Sequence, residues 1–205
     1  MARLSEEDLY LVRARIEKAA LRRFTRSGYN GVSMREVAQD AKVPLGSLYN
    51  YFSDKQSLFK HLVAEQSRAF LTPANPLIGY LLHGKFPTDL EEMAMAIADS
   101  VNLHAEYFKL MYVDVVEFEG RHIRSVFSNL EEKFRESLKS RFREIGDLGS
   151  DKSIDPSFAF VTIYLSFYQY FILTKLFGAT QVYDRGSESR VVKDLAHLFR
   201  RGIGT

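Results

Sequence analysis

Apolar side chains return every three or four positions along most of this 205-residue chain, and no long stretch alternates apolar with polar. A period near 3.6 places such side chains on one face of a helix, whereas a half-buried strand needs a period of two. The chain is therefore expected to be all-α. The first run sets the pattern. Leu9, Val12, Ile16, Ala19, Ala20 and Phe24 step by three and four behind a Ser5 cap and an acidic first turn, and the run stops at Gly28.

Helix-start signals divide the rest of the chain. Ser33-Met-Arg-Glu36 has capping-box spacing and predicts a short helix reaching about Ala41. Pro44 opens a third helix ending near Phe52, and Ser53-Asp-Lys-Gln56 is a second box, starting a helix that reaches about Phe70. Thr72 to Phe86, with Pro73, Pro76, Gly79 and Gly84, reads as a broken connection. Helix resumes after Pro87 with Thr88 as its cap and runs through Met93, Ile97, Val101, Phe108, Met111 and Val115 to a break near Glu119-Gly120. Further helices are expected over about Ile123–Ile145, from an Asp155-Pro156 cap to Phe177-Gly178, and over about Ser187–Arg201, with a loop at Gly146–Ser153. No repeat and no low-complexity segment stands out.

Composition narrows the function classes. There are no cysteines, which removes disulfides, thiolate zinc sites and cysteine nucleophiles and fits a reducing cytoplasm. The N-terminus lacks the apolar run of a signal peptide. Net charge is only +2, but residues 1–60 carry eleven Lys and Arg against seven Asp and Glu. The positive excess thus lies at the N-terminus, the sense expected for a nucleic-acid contact. Pro156 to Thr174 is 19 residues without a charge. Its Ser, Thr, Gln and Tyr content favours a helix buried in a core and a subunit interface over a membrane span. None of His61, His83, His104, His122 and His197 lies four residues from another, so no helical zinc pair exists, and His104 with Asp114 or Glu117 is the weaker metal reading. No Gly-rich phosphate loop or nucleophile elbow is present, and Glu91-Glu92 reads as helix-capping charge rather than a catalytic pair. No cofactor and no metal is expected.

Ser33 to Lys55 is the informative segment. Two helices this short cannot stand alone and must pack on each other and on a support. Val37, Ala38, Val43, Leu48 and Phe52 supply an inward face, and the small Ala38 lets two helix axes cross closely. This is the layout of a helix-turn-helix whose second helix projects outward. Its outward residues are Leu45, Gly46, Ser47, Tyr49 and Asn50. An Asn side chain can pair with an adenine edge, and a Leu can touch a thymine methyl. Tyr49 and Tyr51 offer hydroxyls to phosphate oxygens, and Ser33 and Lys55 stand at helix N-termini, which attract phosphate. The plainer reading makes the tyrosines packing residues, Ser33 only a cap and Arg35 a solvated charge. A scaffold that does not bind DNA is the rival for the whole chain.

The segment resembles the DNA-binding motif of the TetR family of transcriptional regulators. The likeness covers roughly Ile16 to Leu62 and rests on Phe24-Thr-Arg-Ser-Gly-Tyr29, Ser33-Met-Arg-Glu-Val-Ala38, Gly46-Ser-Leu-Tyr-Asn-Tyr-Phe52, Asp54-Lys55 and Leu58-Phe59. It implies a three-helix helix-turn-helix domain over residues 1–53 and a helical effector-binding and dimerisation domain over 54–205. It implies DNA contacts from Ser33, Arg35, Leu45, Gly46, Ser47, Tyr49, Asn50 and Lys55, with Leu48 and Phe52 structural; Lys42, by its added charge, and Tyr51, by its hydroxyl, are further candidate contacts read from the residues themselves. Two departures stand out. Family members often have Gly where this chain has Lys42, and a hydroxyl cap followed by Lys where it has Pro44-Leu45. Lys42 then needs a left-handed backbone, at a cost of roughly 1–2 kcal/mol, and the relatives' base preferences do not carry over.

The resemblance also implies a repressor that leaves a near-palindromic operator when a small hydrophobic or aromatic effector binds, and a homodimer formed by the last two long helices. The uncharged helix agrees: Phe158, Phe160, Ile163, Tyr164, Phe167, Tyr168, Phe171, Ile172 and Leu176 give it too much apolar surface for one side alone. The implied effector cavity takes His104, Tyr107, Phe108, Met111, Tyr112, Tyr164, Phe167 and Tyr168, with Met93 and Ile97, as its candidate lining. An aromatic stripe at helical spacing is more often plain core.

Overall fold

In the computed structural model, residues 6–124, 154–179, 183 and 186–203 are described, and their regular elements are helices. These are α1 (Glu6–Ser27), α2 (Met34–Ala41), α3 (Leu45–Tyr49), α4 (Lys55–Phe70), α5 (Pro76–His83), α6 (Leu90–Leu103), α7 (Ala105–Phe118), α8 (Pro156–Phe171) and α9 (Glu188–Ile203). A π-helical turn at Ile172–Leu176 prolongs α8. The expected Ser5 cap, most of the helix expected from Ile123 and the loop at 146–153 lie outside the described residues.

The chain divides into two compact units. The first holds residues up to Phe70 and a returning segment from Glu106, and the second holds Leu71–Ala105 and the C-terminal helices. The boundary expected between residues 53 and 54 therefore falls inside the first compact unit.

The first unit is built on one apolar face. Ile16, Ala20 and Phe24 of α1, Val37 of α2, Leu48 of α3 and Leu58 and Phe59 of α4 are fully buried. Helix α1 packs on α2 and α4, and α2 packs on α3. Aromatic rings continue this core: Phe24 meets Phe59 edge-on at 5.4 Å, and Phe118 at the end of α7 stacks on Phe59 at 4.9 Å. Such pairs add roughly 0.5–1.5 kcal/mol beyond the area they bury. In the second unit α6 is central and packs on α5, α8 and α9. An Arg200–Glu91 ion pair ties α9 to the first turn of α6.

Several expected boundaries move, each for a local reason. Pro76 starts α5 instead of breaking the chain: it occupies the first turn behind Asn75, whose side chain accepts the Leu77 N–H at 3.0 Å. Thr88 does not cap α6. Its hydroxyl donates to the Lys85 carbonyl, and the helix begins two residues later at Leu90. The second capping box slides by one residue. Asp54, not Ser53, accepts the Ser57 N–H at 2.6 Å, and Ser57 Oγ accepts the Asp54 N–H at 3.2 Å. The run from 90 to 118 is two helices divided at His104, with no Gly or Pro to announce the break. The break at Glu119-Gly120 is present, and both residues are left-handed.

Candidate nucleic-acid interface

Helix α2 opens on the capping box read from the sequence. Ser33 has an extended backbone and accepts the Glu36 N–H at 3.3 Å, while the Glu36 carboxylate accepts the Ser33 N–H at 2.8 Å. The helix closes in a Schellman turn, with Val43 N–H donating to Ala38 O at 3.0 Å and Lys42 N–H to Gln39 O at 3.1 Å. That turn needs a left-handed residue, and Lys42 provides it at φ 56°, ψ 47°. Pro44 then sets the extended approach to α3 and accepts the Leu48 N–H at 3.1 Å.

Helix α3 has only five residues, shorter than the sequence suggested, with Asn50 as its C-cap. Buried Leu48 and Phe52 anchor it. Its other side faces outward: Gly46 and Asn50 are exposed, Tyr49 is 47% exposed, and Leu45, Ser47 and Tyr51 are half-buried. A β-carbon on Gly46 would meet nothing within 4 Å, so the backbone there is open to a close approach. An open groove of about 810 Å³ runs between the start of α2, α3 and the start of α4, and it brings together Ser33, Arg35, Leu45, Tyr49 and Lys55. Lys42, Gly46, Ser47, Asn50 and Tyr51 are not among its lining residues.

The charges here are arranged so that the acids are neutralised and two cations are left over. Asp40 accepts both Nε and Nη2 of Arg23, at 2.7 and 2.9 Å, and Nη2 of Arg22 at 3.0 Å. These hydrogen bonds bring its carboxyl down to about 2. Hydrogen bonds from Ser33, and then the charge of Arg23, hold Glu36 below the usual carboxylate range. The Ser57 N–H does the same for Asp54. Arg35 and Lys42 are exposed and have no ion-pair partner among the described residues. A surface with satisfied acids and unpaired cations attracts phosphate.

Lys55 behaves differently from a simple surface cation. Its ammonium donates to the carbonyls of Tyr29 at 2.9 Å and Val32 at 2.8 Å, and it lies 4.1 Å from the centre of the Tyr29 ring. Two of its three N–H donors are thus committed to the turn before α2. No sequence signal points to the Arg23–Asp40 pair, because its partners are 17 residues apart with no local pattern joining them.

The candidate effector residues fall on both units. Tyr107 and Phe108 are buried in the first, each packed on Phe70. Met111 there is half-buried and Tyr112 exposed. In the second unit Phe167 is buried against Phe199, Tyr164 stacks on Tyr168 at 5.6 Å, and His104 ends α6, where burial lowers its pKa. Asp114 and Glu117, the acids of the weaker metal reading, instead accept hydrogen bonds from His122 and from the turn after α1.

Residues 16–62 match the family described as bacterial regulatory proteins, tetR family. Over 151 residues, 73% of this chain and 78% of the relative, the chain is 25% identical to YhgD of Bacillus subtilis, an uncharacterized HTH-type transcriptional regulator. It is 36% identical over 62 residues to the HTH-type transcriptional regulator AcrR of Shigella flexneri, a match spanning 30% of this chain and 29% of that one. A TetR-family transcription regulator from Marinobacter aquaeolei shares the fold with a TM-score of 0.65 at 14% identity, covering 95% of this chain and 98% of the other. Salmonella enterica GusR does so with a TM-score of 0.63 at 18% identity and full coverage of both chains. Motif, match and fold together make this chain similar to the TetR family, with a helix-turn-helix DNA-binding region of that family's kind at residues 16–62.

Proposed function

We propose that the protein is a cytoplasmic homodimeric repressor that binds a near-palindromic operator and is released from it by a small hydrophobic or aromatic effector. The observation that carries the reading is α3 itself: a short helix, uncharged outward, pinned by Leu48 behind a tight turn and bordered by unpaired Arg35 and Lys42. In this reading Asn50, Leu45, Gly46 and Ser47 face base edges. Tyr49, Tyr51, Ser33, Arg35, Lys42 and the remaining Lys55 donor hold the phosphates. Phosphate contacts fix position and base contacts fix sequence.

Dimerisation is supported by apolar surface left open on the last two helices. Phe158 is 70% exposed, Val161 45% and Leu165 52% along α8, with Leu198 62% exposed on α9. Helix α8 with its π turn, Pro156–Leu176, is also long and apolar enough to cross a membrane. A second copy of the chain is the better cover, because a helix-turn-helix dimer presents two reading heads to half-sites about 34–36 Å apart. For the effector, His104, Tyr164 and Tyr168 of the second unit offer polar tips on an apolar background, which suits an uncharged aromatic ligand.

The reading is tested by selecting duplexes from a random pool with the wild-type protein at moderate salt. Inverted repeats with half-site centres about ten base pairs apart are expected. Tyr49→Phe should then weaken binding to all duplexes alike, and Asn50→Ala should cut the ratio of specific to nonspecific affinity on the order of tenfold. Absence of any enriched sequence, or an Asn50→Ala loss that is equal on every duplex, would remove α3 from sequence readout.

A further inference from the structure

The turn between α1 and α2 decides the direction in which α2 and α3 are presented, and it is held by a residue far along the chain. Glu117, in the last turn of α7, places one carboxylate oxygen 2.7 Å from the Tyr29 N–H and the other 2.7 Å from the Asn30 N–H. Those donors lie 88 and 87 residues away in sequence. Lys55 grips the same turn from the opposite chemical side, through the Tyr29 and Val32 carbonyls. Gly28 begins the turn at φ +73°, and a β-carbon there would lie 2.5 Å from Glu117 Oε1. Gly28 is thus required by its backbone angle and also by the carboxylate beside it.

The end of α7 is itself braced. Asp114 is fully buried and accepts hydrogen bonds from the Ile123 N–H at 3.0 Å, the His122 N–H at 3.2 Å and His122 Nδ1 at 2.6 Å. The left-handed pair Glu119-Gly120 turns the chain back so that these donors reach it. Phe118, next to Glu117, meets the Tyr29 ring edge-on at 4.6 Å. A charge-assisted bond to two backbone N–H groups is stronger than a neutral one. Here it joins a rigid helix end to the segment that feeds the reading helix.

We propose that Glu117 is a positioning residue for DNA binding, whose carboxylate fixes the turn at residues 28–32 and thereby the angle at which α2 and α3 meet the duplex. The proposal rests on the reading of α3 as the DNA-contacting helix. Without the carboxylate the turn samples other conformations, and the affinity for DNA falls by the fraction of time the head is correctly set.

The test uses full-length Glu117→Ala and Glu117→Gln with the duplex that the wild type selects. Amide exchange at Tyr29 and Asn30 should quicken at least about tenfold in Glu117→Ala. Operator affinity should fall on the order of tenfold, with an unchanged salt slope because no phosphate contact is lost. Glu117→Gln, of nearly equal size with one acceptor left, should lie between, and it carries the test if the alanine variant does not fold. Unchanged exchange at both amides overturns the proposal. So does affinity within twofold of wild type when only the melting temperature falls, since that marks a merely structural carboxylate. In both cases wild-type binding stands and only the positioning role is lost. If the wild type selects no duplex, the DNA-binding reading fails and the proposal fails with it.

Discussion

Lys42 joins a backbone demand to a charge. Its φ of 56° and ψ of 47° close the Schellman turn, which glycine makes without strain, yet the residue is a cation beside α3. A non-glycine left-handed residue costs roughly 1–2 kcal/mol, and glycine's extra unfolded-state freedom returns part of that. Lys42→Gly is therefore expected to stabilise the fold by roughly 0.5–1 kcal/mol in urea melts. The same change should weaken DNA binding and lower the slope of log K against log salt by about 0.9, as loss of one phosphate contact does. An unchanged slope would place Lys42 outside the contact set. This demand on Lys42 is visible in the sequence, because the turn needs a left-handed residue and no glycine stands there. The Lys55 contacts are not, because an exposed lysine and one folded back onto two carbonyls have the same local pattern.

At the scale of elements, a network of ions as well as the apolar face locks α1 to α2. Arg22 and Arg23 both bind Asp40, and the carboxyl is held near 2. A carboxyl lowered in the folded state stabilises the fold above its unfolded value, about 3.9, and loses that contribution as pH falls through about 2. Asp40→Asn should thus lower the melting temperature at neutral pH and flatten its decline between pH 4 and pH 2 relative to wild type. Melts across that range check it, and parallel curves for the two proteins would show the pair to be idle. Most elements are legible through helical period and caps: α1, α2 and its capping box, α3 and α4 lie close to where Ser33, Pro44 and Gly28 put them. The misses have separate causes. Pro76 starts α5 because proline suits a first turn, the box at Ser53 slides to Asp54 because that acid is the one that reaches the Ser57 N–H, and the division at His104 has no local marker. The Glu117 contact spans nearly ninety residues, and no local rule sees it.

For the whole molecule, the apolar stripe along α8 and α9 is the surface that a second copy covers in the proposed homodimer. Phe158, Val161 and Leu165 follow helical spacing on one outward face. Phe158→Glu with Leu165→Glu should halve the mass seen by sedimentation while leaving helix content intact, because neither side chain is in the core. Specific DNA affinity should fall by about a hundredfold or more, since a single head loses the effective concentration its tethered partner supplies. A mutant that keeps the wild-type mass would assign the stripe to another partner. The first unit, meanwhile, is assembled out of two separated stretches, 6–70 and 106–124. Anyone grafting this reading head onto a foreign sensor by splicing after Phe70 would leave behind the acid that grips the turn and the ring that floors Tyr29 and Phe59. The transplant would need to carry the distant helix along with the motif.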